Sequence, residues 1–129
     1  MVGYPIFKWD LEGEISVAAI ISILEQWIIT TLDDMGIKSS RDERMQGVWV
    51  ENKKICSIGL SFLRWVSRHG FSVNLDTPVG RVEGLAGCGL ESSTTTSLAR
   101  LGHQITLEQF TQALLNNIES ATNRIIRED

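Results

Sequence analysis

This chain of 129 residues has few cysteines and fewer basic than acidic residues, and each shortage argues against one class of protein. Two cysteines are too few for the disulfide framework of a small secreted domain, which favours the reducing cytosol. Twelve basic residues against sixteen acidic ones give a net charge of -4, whereas a general nucleic-acid binder normally carries a basic face. We therefore expect a cytoplasmic protein with no nucleic-acid partner.

Long apolar runs are also missing. The most apolar run, residues 17–24, is followed by Glu25 and Gln26, and a helix that crosses a bilayer needs about 20 apolar residues. The first residues lack a basic leader and a small-residue cleavage site. We expect no membrane partner, and we expect residues 1–129 to fold as one catalytic domain.

The densest set of strand-forming residues lies between residues 47 and 75. Its first half predicts a hairpin, with strands at residues 48–50 and 54–60 around a turn at Asn52. Residues 71–75 alternate apolar and polar side chains, which predicts a third strand.

Helical periodicity predicts a helix near each end of the chain. Residues 14–35 repeat apolar side chains at helical spacing, and Gly36 is well placed to end that helix. Thr106 and Gln109 match a capping box, after which one apolar face extends as far as Ile125.

Two connecting segments have weak periodicity. Residues 38–46 are predicted to be a solvated loop, in which Arg41 or Arg44 could meet an acidic partner. Residues 76–105 are rich in glycine, and a long loop inside a compact domain is more often functional than not.

Cys88, which two glycines flank, is the best candidate for a reactive group. A cysteine near a cation or a helix N-terminus has a lowered pKa and is more nucleophilic. The alternative is a small buried residue in a loop. Cys56 lies among the apolar residues of a predicted strand, so that packing in the core is the better interpretation for it.

Motifs for metals and cofactors are missing. No Cys/His cluster has zinc spacing, and the chain has neither a GxGxxG motif nor a phosphate-binding loop. We expect no metal and no cofactor. Taken alone, Lys54 is an ordinary lysine at a hairpin end, and His69 is a base or a ligand without a partner motif.

Five segments in order resemble the lipoyl(octanoyl) transferase family. They are Val2-Gly3-Tyr4-Pro5-Ile6, Gly47-Val48-Trp49-Val50, residues 53–59, Arg64-Trp65-Val66 with residues 69–75, and Cys88-Gly89 with Thr96-Ser97-Leu98. The resemblance implies an α+β fold, a mixed sheet with packed helices like that of the biotin and lipoate protein ligases.

The resemblance also implies an acyltransferase of lipoate biosynthesis. Such enzymes move an octanoyl group from octanoyl-acyl carrier protein to a lysine on the lipoyl domain of 2-oxoacid dehydrogenases or on the glycine-cleavage H protein. The family's nucleophile, which forms a thioester, corresponds to Cys88, and its general acid and base corresponds to Lys54. The acyl-binding walls correspond to Ser57, Ile58, Gly59, Gly70, Phe71 and Ser72.

Three features depart from the family's pattern. Gly87 stands where the family has proline, and Ser72 stands where it has alanine. The family's N-terminal section with its Arg-Gly-Gly loop has no counterpart in the sequence given. We therefore expect little activity from residues 1–129 alone, and we expect incomplete cover over the apolar residues Ile20, Ile23, Trp27 and Trp49.

Two other functions stay open beside the transferase. One is an inactive relative that binds a lipoyl domain or carrier protein without turnover. The other is a cysteine-dependent acyltransferase or amidase that acts on a different substrate.

Overall fold

Short strands build a five-stranded sheet in the computed structural model, which describes residues 1–11, 14, 16–42, 45–76 and 95–124. The ladders between neighbours are antiparallel, and a parallel bridge joins Lys54 to Thr95. The spatial order is β1-β5-β4-β3-β2. The strands are β1 (Val2–Gly3), β2 (Ser40–Asp42), β3 (Met45–Val50), β4 (Lys53–Leu63) and β5 (Val66–Val73).

Two tight turns join the three longest strands. Glu51 and Asn52 connect β3 to β4 with φ of 51° and 66°, at the turn that the asparagine predicts. Arg64 and Trp65 connect β4 to β5 with φ of 52° and 63°. Successive left-handed residues of this kind match the twist of a hairpin. Because the second turn lies this early, β5 begins at Val66, five residues before the predicted strand.

Helix α1 (Val17–Asp34) confirms the predicted N-terminal helix. Ser16 caps it, since its side chain accepts the Ala19 N–H at 3.1 Å. The chain then turns through Gly36, whose φ of 80° suits a residue without a side chain. Within the described residues, no helix is long and apolar enough to cross a membrane.

The C-terminal segment forms two helices, α2 (Leu107–Asn116) and α3 (Ile118–Thr122), where one helix was predicted. The capping box at Thr106 and Gln109 is confirmed. Asn117 separates the helices, and its side chain donates to the Asp34 carboxylate and to the Ala113 carbonyl, both at 2.8 Å. Ile125 lies outside the described residues.

The prediction of a solvated loop over residues 38–46 is wrong, because strand β2 lies within it. Arg41 of β2 has an acidic partner, which is the alternative that the sequence allowed for this segment. Its Nε donates to the Glu25 carboxylate at 3.2 Å. That partner lies on α1, so the local sequence around Arg41 could not reveal it. Arg44 lies outside the described residues.

The core lies between the sheet and the helices. Ile20 and Trp27 in this core are 0% and 4% exposed, and Trp49, which lies outside the core cluster, is 2% exposed, so the prediction of incomplete cover is wrong for these three residues. Ile23, the fourth residue of that prediction, is partly buried. Helix α2 supplies part of the cover, and the Trp27 indole donates to the Leu114 carbonyl at 2.8 Å. The largest exposed apolar side chains include Tyr4, Ile6 and Leu63, which lie near the start of the chain and the tip of the second hairpin.

Candidate active site

A β-bulge at Ile55 decides which way Lys54 points. Val48 pairs with Cys56 but Trp49 pairs with Lys54, which makes Ile55 the extra residue of β4. A bulge shifts the alternation of side chains between the two faces. Ile55 and Cys56 accordingly both join the core cluster although they are neighbours, and Lys54 lies opposite Trp49 on the other face.

The two faces of this part of the sheet can now be distinguished. We call the side packed on α1 the core face and the other side the outer face. Ile58 pairs with Phe71, and both belong to the core cluster. The Phe71 ring packs edge-on against Trp27 with ring centroids 6.1 Å apart. Of the predicted acyl-binding residues, these two therefore direct their side chains into the core.

The remaining predicted acyl-binding residues lie together on the outer face. Ser57 pairs with Ser72, and Gly59 pairs with Gly70. With Val2, Tyr4, His69 and Phe71, they border a concavity of about 220 Å³, here called the outer trough. Two segments that are separate in sequence thus form one surface of small residues.

Lys54 lies on the same face, about 10 Å along β4 from Ser57. It is 4% exposed, which is unusual for a lysine. Gly47 makes room for it, because a Cβ on Gly47 would lie 2.9 Å from Lys54 Cε and 2.1 Å from the Cys56 carbonyl oxygen. The φ of Gly47, 141°, is also one that residues with side chains rarely adopt.

The described chain lies beside Lys54 on both sides of residues 77–94. Before that segment, the Asn74 N–H donates to the Ile55 carbonyl at 2.8 Å. After it, Thr95 bridges Lys54, and the Thr96 N–H donates to the Lys54 carbonyl at 3.0 Å. Cys88 and both of its glycines lie outside the described residues, so the predicted nucleophile stays a prediction.

Cys56 is a core residue, as its sequence context predicts. It is 1% exposed and forms no disulfide. Burial raises the pKa of the Cys56 thiol to about 12, the Lys54 ammonium opposes this, and the Glu25 carboxylate adds to it. A thiol with such a pKa is a poor nucleophile at neutral pH.

Sequence analysis missed Glu25. It is 7% exposed, and its Oε2 accepts the Gly47 N–H at 3.0 Å. The only available signal was a glutamate among the apolar residues of the predicted helix. Among the residues that the structure describes, no group of three or more His, Cys, Asp or Glu side chains is placed to hold a metal ion.

Comparison with known proteins identifies the family. The family model described as the lipoyl protein ligase A/B catalytic domain matches residues 1–119. The chain belongs to this family. Lipoate-protein ligase A bound with ATP has a similar fold, with a TM-score of 0.72 at 10% identity over 88% of this chain and 49% of that one. The predicted α+β fold with packed helices is therefore confirmed.

Curated relatives confirm the predicted resemblance. The chain is 39% identical to the octanoyltransferase of Novosphingobium aromaticivorans in an alignment that covers 96% of this chain and 58% of that one. It is 41% identical to the octanoyltransferase of Solibacter usitatus over 110 residues, which cover 84% of this chain and 49% of that one. The chain thus spans about half the length of the curated relatives it matches.

Proposed function

We propose that the protein transfers an octanoyl group from acyl carrier protein to a lysine of a lipoyl domain, through a thioester on Cys88. The observation that carries this proposal is the burial of Lys54 on the same face of the sheet as the outer trough. Lysine is almost never fully buried unless it is paired, and a buried lysine readily changes its protonation. The octanoyltransferases among the relatives supply the reaction class.

In the first step, the Cys88 thiolate attacks the thioester carbonyl of the donor. A new carbon–sulfur bond forms to Cys88, and the bond to the carrier protein's thiol breaks. The Lys54 ammonium favours the thiolate before attack and gives its proton to the departing thiolate. Cys88 precedes Thr95 by seven residues, a span of at most about 25 Å, which is compatible with an approach to Lys54.

In the second step, the amine of the acceptor lysine attacks the Cys88 thioester. An amide bond forms, Cys88 leaves as a thiolate, and neutral Lys54 takes the proton that the amine loses. Lys54 thereby returns to the ammonium form in which it began. No metal or cofactor takes part in either step.

The outer trough is the proposed seat of the acyl chain. Its small residues let an alkyl chain approach the backbone of β4 and β5 closely. Backbone N–H groups near Gly59 are proposed to stabilise the oxyanion of each tetrahedral intermediate. The acceptors are proposed to be the lipoyl domains of 2-oxoacid dehydrogenases and the glycine-cleavage H protein, in the cytosol.

The first test is whether an acyl group forms on Cys88. We expect the chain, incubated with octanoyl-acyl carrier protein, to gain an octanoyl mass that hydroxylamine removes. Cys88→Ala should lose the adduct and Cys56→Ala should keep it, because the Cys56 thiol is buried in the core. The N. aromaticivorans octanoyltransferase serves as the positive control, since we expect slow acylation of residues 1–129 alone.

An adduct that survives in Cys88→Ala would contradict the proposed nucleophile. A stable complex with a lipoyl domain and no adduct after hours would instead favour the alternative of binding without turnover.

The second test concerns the general acid and base. We expect Lys54→Met to lower acyl transfer by about 100-fold or more, the usual contribution of a positioned acid or base. Lys53→Met is the matched control, because Lys53 is the exposed neighbour on the same strand. Equal losses in the two variants, measured by the rate of octanoyl-lysine formation, would show that Lys54 has no such role.

A further inference from the structure

A carboxylate lies within the buried face of α1. Glu25 is the charged member of the eight residues that this helix, described throughout its length, buries. Its neighbours Leu24 and Ile28 are both 0% exposed. Burying a carboxylate costs free energy unless it is paired and hydrogen-bonded, so that packing of α1 alone gives no reason for Glu25.

Arg41 supplies the countercharge for one oxygen of Glu25. Its Nε donates to Glu25 Oε1 at 3.2 Å, and its Nη2 donates to the Ser22 carbonyl at 3.0 Å. Its Nη1 also donates to Gln26 Oε1 at 3.3 Å, so the guanidinium is tied to α1 at three points. This pairing fixes the orientation of the carboxylate and leaves Oε2 directed at the sheet.

The other oxygen of Glu25 accepts a backbone N–H of β3. Ser40 pairs with Trp49 and Asp42 pairs with Met45, so three residues of β3 lie opposite one residue of β2. Gly47 lies in that interrupted part of the ladder. Its N–H is donated to Glu25 Oε2 at 3.0 Å.

Gly47 in turn borders the Lys54 side chain. The place of its absent Cβ lies 2.9 Å from Lys54 Cε, so the backbone of Gly47 forms part of the wall along which the lysine stem runs. Lys54 and Glu25 also act with opposite sign on the Cys56 thiol, whose pKa burial raises to about 12. Both charges therefore lie near Cys56 of β4.

We infer that Glu25 is a positioning residue for Lys54, acting through the Gly47 backbone that its carboxylate holds. The chain of contacts runs from Arg41 through Glu25 and Gly47 to the lysine stem. This inference rests on the proposed role of Lys54 and adds to it a residue that touches neither substrate nor the reacting atoms.

The first experiment follows Gly47 and Lys54 directly by NMR. The chain has four lysines, so that ¹³Cε-labelled lysine gives a simple spectrum in which Lys54 is assigned by its loss in Lys54→Met. We expect Glu25→Ala to shift the Lys54 signal and to remove the protection of the Gly47 amide against hydrogen exchange. Glu25→Gln should keep both closer to wild type than Glu25→Ala does, because its amide oxygen still accepts the Gly47 N–H although its amide nitrogen cannot accept from Arg41.

The second experiment measures acyl transfer in the same variants. We expect Glu25→Ala to lower kcat by about 10-fold to 100-fold with little change in KM for the acyl donor, since a displacement near 1 Å can cost that much. Glu25→Gln should recover most of the rate. Asp33→Asn, an exposed carboxylate on the same helix, is the control and should leave the rate unchanged.

Two outcomes would separate the inference from the proposed function. If Glu25→Ala only lowered thermal stability and left the Lys54 and Gly47 signals unchanged, Glu25 would be merely structural and the inference would be wrong. If Lys54→Met kept full activity while the NMR changes appeared as expected, the positioning would stand and the proposed role of Lys54 would fail.

Discussion

The core face and the outer face of β4 and β5 use alternate residues of the same strands for different purposes. On the core face, Ile58, Phe71 and Val73 are 9%, 4% and 1% exposed. On the outer face, the neighbouring Ser57 and Gly59 are exposed. One face therefore bears the packing that stabilises the sheet, which leaves the other free to carry small residues around a trough.

Lys54 departs from the regular alternation of side chains between the two faces of β4. Regular alternation from Ile58 and Cys56 would put Lys54 on the core face, and the bulge at Ile55 moves it to the outer face instead. A buried ammonium in the core would be costly. The bulge keeps the ammonium out of the apolar core cluster, although Lys54 is still only 4% exposed, and it brings the lysine to the side of the sheet where the trough lies.

The largest loss of stability is expected on substitution of Gly47, which lies against both the Lys54 side chain and the Cys56 carbonyl of β4. Gly47→Ala should lower the free energy of unfolding by about 3 kcal/mol or more, because strain at its φ adds to a clash with backbone. Gly36→Ala is the matched control, since its φ is also positive but a Cβ there meets nothing within 4 Å. It should cost about 1–2 kcal/mol. Equal losses in urea unfolding would contradict the close approach at Gly47.

A smaller loss of stability is expected for substitutions in β4, and it should differ between two adjacent residues that lie on opposite faces. Ile58→Ala should cost about 2 kcal/mol, the low end for such a truncation because Ile58 is 9% exposed, since it removes buried methyl groups and leaves a cavity. Ser57→Ala should change stability by less than about 0.5 kcal/mol, because the serine side chain is exposed. Both are measured by urea unfolding followed by circular dichroism. Similar losses for the two would contradict the difference between the faces, and a larger loss for Ser57→Ala would mean that the faces are assigned the wrong way round.

The smallest expected change in stability comes from ionisation of the Cys56 thiol on the core face. Unfolded chains ionise Cys56 near its ordinary pKa, about 8.5, whereas burial raises its pKa in the folded protein to about 12. Ionisation therefore favours the unfolded state above pH 8.5, and stability should fall as pH rises. Between pH 8 and 9.5 this loss should be about 1 kcal/mol greater in the wild type than in Cys56→Ala.

Ser57→Ala, which keeps the thiol, is the control for that measurement and should follow the wild-type pH dependence. An unchanged slope in Cys56→Ala would indicate that Cys56 ionises equally easily in both states.

Sequence patterns predicted the elements whose causes are local. Helix α1 follows from apolar residues at helical spacing, the start of α2 from its capping box, and the first hairpin from a turn at Asn52. Strand β2 escaped prediction because it is defined by its pairing with β3, and the partner of its Arg41 side chain, Glu25, is sixteen residues away on a helix. The break at Asn117 escaped for the same reason, since its side chain is held by Asp34.

The candidate site, too, could be predicted from the sequence only in part. The residue types at Lys54, Ser57, Gly59, Gly70 and Ser72 were recognisable from the sequence through their resemblance to a family. Their arrangement was not, because the pairing of Ser57 with Ser72 and the bulge at Ile55 depend on the register between strands. Nothing local to Glu25 indicated that its carboxylate would accept the Gly47 N–H.

The sequence by itself determined the family, the helical periods, the turn at Asn52 and the identity of the chemically capable side chains, since these depend on residue type and near neighbours. Only the tertiary structure decided that Lys54 lies on the outer face, that the trough forms between β4 and β5, and that Glu25 reaches Gly47. The physical reason is that strand register and helix docking are set by contacts between distant residues. A shift of one residue in register exchanges the two faces of a strand, and local sequence carries little information about such a shift.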